Sequence, residues 1–243
     1  MMKPLKLDLH THTLASGHAY GTIQEMAKEA AEKQIEVLGI TEHAKGIPGT
    51  CEDIYFANLK VVPRRINGVQ LLLGSEINIL DYEGHLSLKP KYMEQLDICI
   101  AGIHWQCYTF GSREENTRAV IGAIRNPFID VISHPDDGNC PLYYEAVVAA
   151  AKEHHTLLEI NNNSLRMSSR KDVLENDLTI LRLCKEYGHP VLVSSDAHFP
   201  TDIGNTDEVE KVFARIDFPE ELIINYNPQK LLDFLHWNRE HRK

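Results

Sequence analysis

No stretch of this chain approaches the roughly 18–20 consecutive apolar residues of a membrane span. The opening Met-Met-Lys-Pro-Leu-Lys-Leu-Asp is too short of apolar residues for a secretory signal. Both absences predict a cytoplasmic protein that does not touch a membrane. Cysteine is sparse, with five residues (Cys51, Cys99, Cys107, Cys140 and Cys184), an odd number and no C-x-x-C pair, which excludes a disulfide framework and predicts reduced thiols. Basic charge is in deficit: 25 Lys and Arg face 35 Asp and Glu, a formal charge of −10. A surface that grips a nucleic-acid backbone needs clustered cations, so nucleic acid is not an expected partner. A small phosphorylated substrate remains compatible, because cations held in a pocket reverse the local field. Linker-like tracts, low-complexity segments and sequence repeats are missing too. With 243 residues, 43% of them hydrophobic, the expectation is one domain over residues 1–243. Nothing in the sequence excludes a homo-oligomer.

What is present is an alternation of short apolar runs and amphipathic segments. Candidate strands are Lys6–His10, Val37–Thr41, Gln70–Glu76, Ile98–His104, Asp130–His134, Thr156–Asn161 and Val191–Ser195, each apolar on both faces as a covered parallel strand is. Between them, Thr22 to Glu25 forms a capping box opening a helix, and Pro141 suits the first turn of another. A helix near Asn176–Tyr187 stops at Gly188, and Asn227-Pro228 starts a last one. Repeated βα units predict an α/β fold with a parallel sheet, closed into a barrel or left open.

Histidine is the excess, at thirteen residues. Six predicted strands end in potential metal ligands: His10 and His12, Glu42-His43, Glu76, His104, His134, and Asp196 with His198; His18 follows in the first loop. These are C-terminal strand ends, where barrel enzymes place their chemistry. His-x-His in extended backbone turns both imidazoles to one face, so His10 and His12 can chelate one ion, and Asp196 with His198 can do likewise. A carboxylate such as Glu76 can bridge two cations. Taken singly these signals are weak: a lone His-x-His is common on surfaces, a His before Pro is ordinarily structural, and an Asp at a strand end ordinarily caps a helix. Six such endings on consecutive strands are not six coincidences, and they predict a metal site. The remaining histidines carry no such pattern; His154, His155, His236 and His241 are expected in solvent near helix ends, and His85 and His189 in loops. Cys107 and Cys140 lack partner spacing, so no catalytic thiol is expected.

Asp8-Leu-His10-Thr-His12, Gly39-Ile-Thr41-Glu42-His43, Gly74-Ser-Glu76, His104, Ser133-His134-Pro135 and Ser195-Asp196-Ala-His198 together resemble the motif set of the PHP (polymerase and histidinol phosphatase) family. Leu158-Glu159-Ile160-Asn161 and His18-Ala19-Tyr20 are similar to its single-domain, YcdX-like phosphatases. The resemblance implies a distorted seven-stranded, TIM-like (β/α) barrel with a trinuclear centre. His10, His12, Glu76 and Asp196 would hold one ion. Glu76 would bridge to a second, held also by His104 and His134. His18, His43 and His198 would hold a third. Glu42 departs from the Asp found in many relatives. The ions expected from this donor set are zinc, with manganese or iron as alternatives.

The implied activity is hydrolysis of small phosphomonoesters by a metal-bound hydroxide, with Glu76, His104, His134 and Asp196 closest to the chemistry. Arg170, Arg64 and Lys45 are candidate phosphate contacts, and Asp8 a candidate to orient a ligand imidazole. Other readings stay open: a histidinol-phosphate phosphatase, a nuclease or proofreading-type module, an amidohydrolase, or a domain that binds metal without catalysis.

Overall fold

The computed structural model describes residues 3–167 and 169–242. In chain order its elements are β1 (Leu7–Asp8), α1 (Ile23–Glu32), β2 (Val37–His43), α2 (Asp53–Asn58), β3 (Arg65–Ile66), β4 (Val69–Asn78), α3 (Pro90–Met93), β5 (Ile98–Gly102) and α4 (Arg113–Ile124). The chain continues through β6 (Val131–Ile132), α5 (Tyr144–Glu153), β7 (Leu157–Asn161), α6 (Asn162–Arg166), α7 (Val173–Tyr187), β8 (Val191–Ser194), α8 (Val209–Phe213) and α9 (Pro228–His241). Seven strands run parallel in the order β1-β2-β4-β5-β6-β7-β8, and β3 adds an antiparallel flap to β4. Together with their crossover helices they make a distorted seven-stranded, TIM-like barrel. Among the described residues no helix is long and apolar enough to cross a membrane.

The doubly apolar strand sequences explain the two cores. Side chains facing inward, among them Leu7, Leu9, Val37, Leu72, Ile98, Ile100, Val131, Leu157 and Leu192, fill the barrel. The alternate residues meet the helices outside, as Leu38, Ile40, Leu71, Leu73 and Ile160 do. Helix α9 closes the floor at the N-terminal ends of the strands. Its Leu231, Phe234 and Leu235 join the inner cluster, while Arg239 reaches Asp130 at 3.1 Å and the carbonyl of Asp97 at 3.0 Å.

The ladder does not run directly from β8 to β1. A buried amide spans that seam instead: Asn225 donates to the carbonyls of Leu7 (3.0 Å) and Val193 (2.6 Å) and accepts from the Val193 N–H (2.8 Å). Higher up, Thr11 pairs with Ala197, and the His12 N–H donates to the Ala197 carbonyl at 2.9 Å. Gly39 allows this upper stretch to lie against β2, since a Cβ there would stand 2.2 Å from the Leu9 carbonyl oxygen.

Several expected boundaries move. Helix α5 starts at Tyr144, so Pro141 belongs to the preceding loop rather than to its first turn. Helix α7 starts at Val173, ahead of Asn176, and α1 and α9 have the expected caps, a capping box at Thr22 and Asn227. Strands β1 and β6 are shorter than their apolar runs; after β6 and β8 the chain turns at the rim, where His134 and Asp196 take left-handed backbones, with φ of 30° and 54°. His155, expected in solvent, instead stacks on Phe234 with ring centroids 3.8 Å apart, and His189 is buried, bonded to the Thr156 carbonyl at 2.9 Å.

Replacing Asn225 with Ala strips partners from buried backbone groups on both sides of the seam. The variant should lose about 2–4 kcal/mol of stability in chemical denaturation. A change below about 0.5 kcal/mol would show that the seam closes without the amide.

Candidate metal centre

At the C-terminal rim everything converges on Glu76. Parallel pairing of β2 with β4 sets His43 directly opposite it. The stretch after β1 brings His10 and His12, and the turns after β5, β6 and β8 bring His104, His134 and Asp196. Glu76 Oε2 lies 3.2 Å from His10 Nε2, 3.5 Å from His12 Nε2 and 2.9 Å from His43 Nδ1. Glu76 Oε1 lies 3.2 Å from His104 Nε2 and 2.7 Å from His134 Nε2. Asp196 Oδ1 stands opposite, 3.3 Å from His12 Nε2 and 3.6 Å from both His10 Nε2 and His198 Nδ1. His18 sits further out, with ring centroids 5.0 Å from His43 and 4.9 Å from His198.

The chemistry of these donors fits divalent cations. His10 Nε2, His12 Nε2, His43 Nδ1 and His104 Nδ1 are buried and make no hydrogen bond. A buried polar atom without a partner is costly, and a cation accepting the lone pair removes that cost. Three overlapping groups bring their donor atoms within 4.8 Å of one another: His10, His12 and Glu76; His43, Glu76 and His104; and His12, His43 and His198. The expected trio of His18, His43 and His198 is drawn together less tightly, because its register on β2 turns His43 toward Glu76.

A surrounding layer fixes the tautomers. A carboxylate only accepts, so His10 Nδ1–H donates to Glu159 Oε1 at 2.7 Å, which turns the Nε2 lone pair toward Glu76 and Asp196. The other Glu159 oxygen accepts from the His134 N–H at 2.7 Å and from Asn161 at 3.0 Å. Ser16 Oγ donates to Glu42 Oε2 at 2.6 Å, so His12 Nδ1, 3.0 Å away, donates to Ser16. Glu42 also accepts from the Thr13 N–H and hydroxyl, at 3.1 and 2.5 Å. Its extra methylene thus serves the turn that carries His12 and His18. Asp8 does not orient an imidazole as expected; it accepts from the Ser195 hydroxyl and from the backbone N–H groups of Ser195 (3.2 Å) and Gly204 (2.8 Å), holding the turn before Asp196. Glu159 and Ser16 are the residues the sequence did not assign. Glu159 lies within Leu158-Glu159-Ile160-Asn161 at the end of an apolar run, which is the signal that marks it; Ser16 carries none.

The fields are strong because water is excluded. Burial, then the neighbouring His43 and His198, push His12 well below the usual imidazole range, and burial lowers His104 and His18 too. For His10 burial acts the same way, but Glu159, Glu76 and Asp196 outweigh it and hold the ring well above that range. Burial opposes charge on Glu76 and Asp196, yet the histidines around them, led by His10, keep both well below the usual carboxylate range.

The three expected phosphate contacts separate. Arg170 lines the cleft above the histidines and donates to Ser164 Oγ, which in turn donates to Asp136 Oδ1 at 3.1 Å. Behind it lie two buried acids, Asp136 and Asp177; desolvation pushes Asp136 up to about 7 against the pull of Arg170, and raises Asp177 well above its usual value. Arg64 is a correction: it precedes β4, at the opposite end of the barrel, and pairs with Asp97 at 2.7 Å. Lys45 is the second: it follows β2 on the correct face but pairs with Glu52 at 2.8 Å and lies outside the cleft lining. Neither the resemblance of a segment, as for Arg64, nor a place after a strand, as for Lys45, records where a side chain finds its counter-ion.

The family model for the PHP domain matches residues 8–168, and that for the PHP-associated region matches residues 175–207. The chain belongs to the PHP family. A "Probable phosphatase" of Caldicellulosiruptor saccharolyticus is 46% identical over 234 residues, covering 95% of this chain and 96% of that protein. One from Clostridium novyi is 45% identical over 229 residues, covering 94% and 93%. Among solved structures, the histidinol phosphate phosphatase of Lactococcus lactis, complexed with zinc, L-histidinol and phosphate, has a TM-score of 0.56 at 15% identity, covering 88% of this chain and 94% of that one. An archaeal ribonuclease P with mature tRNA contains a chain with a TM-score of 0.55 at 14% identity, covering 97% and 90%. Both likenesses establish the fold. The candidate ligands of this PHP chain come from both matched regions, since Asp196 and His198 fall in the second.

Two measurements check the centre. Glu159→Gln should weaken divalent-metal affinity about 10–100-fold in competition with a chelator; unchanged affinity would remove Glu159 from the site. The acids around His10 favour its protonated form, whereas a cation at Nε2 requires the neutral ring. Calorimetric zinc titrations in buffers of different ionisation enthalpy should therefore report proton release, and affinity should fall with falling pH. Binding without proton release would contradict the His10 assignment.

Proposed function

We propose that the chain is a metal-dependent phosphatase that hydrolyses small phosphomonoesters in the cytoplasm, at a centre of three divalent ions, with residues 1–243 acting as one domain. The observation that carries this reading is Glu76: one buried carboxylate addressed by five imidazoles, His10, His12, His43, His104 and His134, at the base of a cleft that also holds Arg170. His10, His12, Glu76 and Asp196 would hold one ion, Glu76, His104 and His134 a second, and His18, His43 and His198 a third. Zinc suits the imidazole-rich set, and manganese or iron the carboxylates. Such ions, when bound, acidify water and neutralise phosphoryl charge.

The chain's own groups do the rest. Glu76 and Asp196 stay ionised through their histidine neighbours and so supply negative charge to the ion sites without taking protons from solvent. Glu159 and Ser16 fix the tautomers of His10 and His12 before any substrate arrives, so the site reorganises little during reaction. Arg170 presents a guanidinium to phosphoryl oxygens, anchored through Ser164 and Asp136, which lets it act as a directed donor rather than a mobile surface cation.

Turnover of p-nitrophenyl phosphate with added zinc or manganese is the expected result, with chelation, His10→Ala and Glu76→Ala each abolishing it. Arg170→Ala should raise KM about tenfold or more, as loss of a charged hydrogen bond implies. Stoichiometric metal with no turnover of any phosphoester would leave a metal-binding domain instead. Histidinol phosphate in the same assay distinguishes the narrower activity by a kcat/KM well above generic esters.

A further inference from the structure

A cleft of ≈ 530 Å³ leads from the metal centre to solvent, a volume in the range of sites for whole organic ligands and far more than a phosphoryl group fills. Its lining beyond the histidines is uneven in character. Trp105, Phe110 and Met167 line it and are 74%, 38% and 41% exposed. Gln106 and Asn163 add amides, and Arg170 is its one lysine or arginine.

Trp105 is the decisive residue. It directly follows the ligand His104, and among the described residues no aromatic ring stacks on it. The other tryptophan of the chain, Trp237, is treated differently by the fold: it stacks on His241 at 4.6 Å and packs against His155 at 4.2 Å. One exposed apolar side chain needs no explanation, but Trp105, Phe110 and Met167 together form an apolar patch in the wall of the cleft, the kind of surface a bound ligand covers. The occupant must also carry its negative charge at the inner end alone, because a single arginine and the histidines supply the positive charge of the cleft.

Resting on the phosphatase reading above, we propose that this site selects phosphomonoesters whose alcohol portion carries a flat, uncharged aromatic ring, of the nucleoside monophosphate kind, and that Trp105 is the residue that selects them by stacking. The phosphate enters toward Glu76 and Arg170, the ring covers Trp105, and Phe110 and Met167 extend the apolar contact. Gln106 and Asn163 offer hydrogen bonds to the edge of a heterocycle. Sugar phosphates without a ring leave Trp105 wet.

Adenosine 5′-monophosphate and ribose 5-phosphate share the same leaving alkoxide and differ by the base, so the ratio of their kcat/KM values isolates the ring. The native enzyme should favour the nucleotide about tenfold or more, the worth of one stacked base. Trp105→Ala should bring the ratio near one, and Trp105→Phe should keep most of it; any general damage to the metal centre cancels in the ratio. A native ratio near one, or a preference that survives Trp105→Ala, overturns the proposal. A second readout does not need turnover. In a Trp237→Phe background Trp105 is the remaining tryptophan, and its fluorescence should be quenched by adenosine 5′-monophosphate but not by ribose 5-phosphate. Failure of both compounds and of p-nitrophenyl phosphate to turn over would count against the phosphatase reading, while the quench would still decide the ring site: present supports it, absent overturns it.

Discussion

One buried carboxylate organises the working end of this molecule. Glu76 stands on the longest strand, with no water to screen it, and its two oxygens point at different sets of imidazoles. An uncompensated charge in that position would be expensive enough to unfold the rim. The fold's answer is to surround it with donors that are themselves costly to bury unless they have a cation or an acid to face. Each offsets the cost of burying the other, which accounts for six separate strands delivering candidate ligands and for left-handed backbones at His134 and Asp196.

That rim is only as well ordered as the barrel beneath it. The seam between β8 and β1 runs between the strands that carry Asp196 and the His10–His12 pair, and it is bridged by side chains as much as by backbone. Asn225 joins it low down, Asp8 ties Ser195 across it, and the Thr11–Ala197 pairing finishes it next to the ligands. Structural and chemical demands thus meet on the same few residues, and acids at strand ends divide their work: Asp8 and Glu42 hold turns, Glu159 holds an imidazole, and Glu76 and Asp196 face the site.

The parts of this arrangement legible in the sequence were those fixed by local pattern. Doubly apolar runs gave seven parallel strands, and the His-x-His of residues 10–12 gave two imidazoles aimed at one place, because strand alternation is a local rule. The meeting of strand-end histidines and acids at one rim followed from the same logic. What local pattern does not encode is which distant partner a polar side chain finds. Arg64 was read as a phosphate contact and belongs to Asp97; Lys45 belongs to Glu52; Asp8 serves a turn. His155 looked like a solvated helix end, and only the fold of α9 back under the barrel supplies Phe234 to cover it. Ser16 illustrates the limit best, since its hydroxyl links the nearby His12 to Glu42 and His43, and the last two contacts exist only once β1 and β2 lie side by side.

The seam carries an implication for how the barrel closes. The strand that leads to His10 and His12 precedes by more than two hundred residues the amide, Asn225, that fastens it to its last neighbour. Without Asn225 and the stretch around Ala197, the edge of β1 facing β8 lacks its partners, and His10 and His12 have no Asp196 to face. Closing the ring removes that edge, the kind of unpaired strand that other chains can pair with.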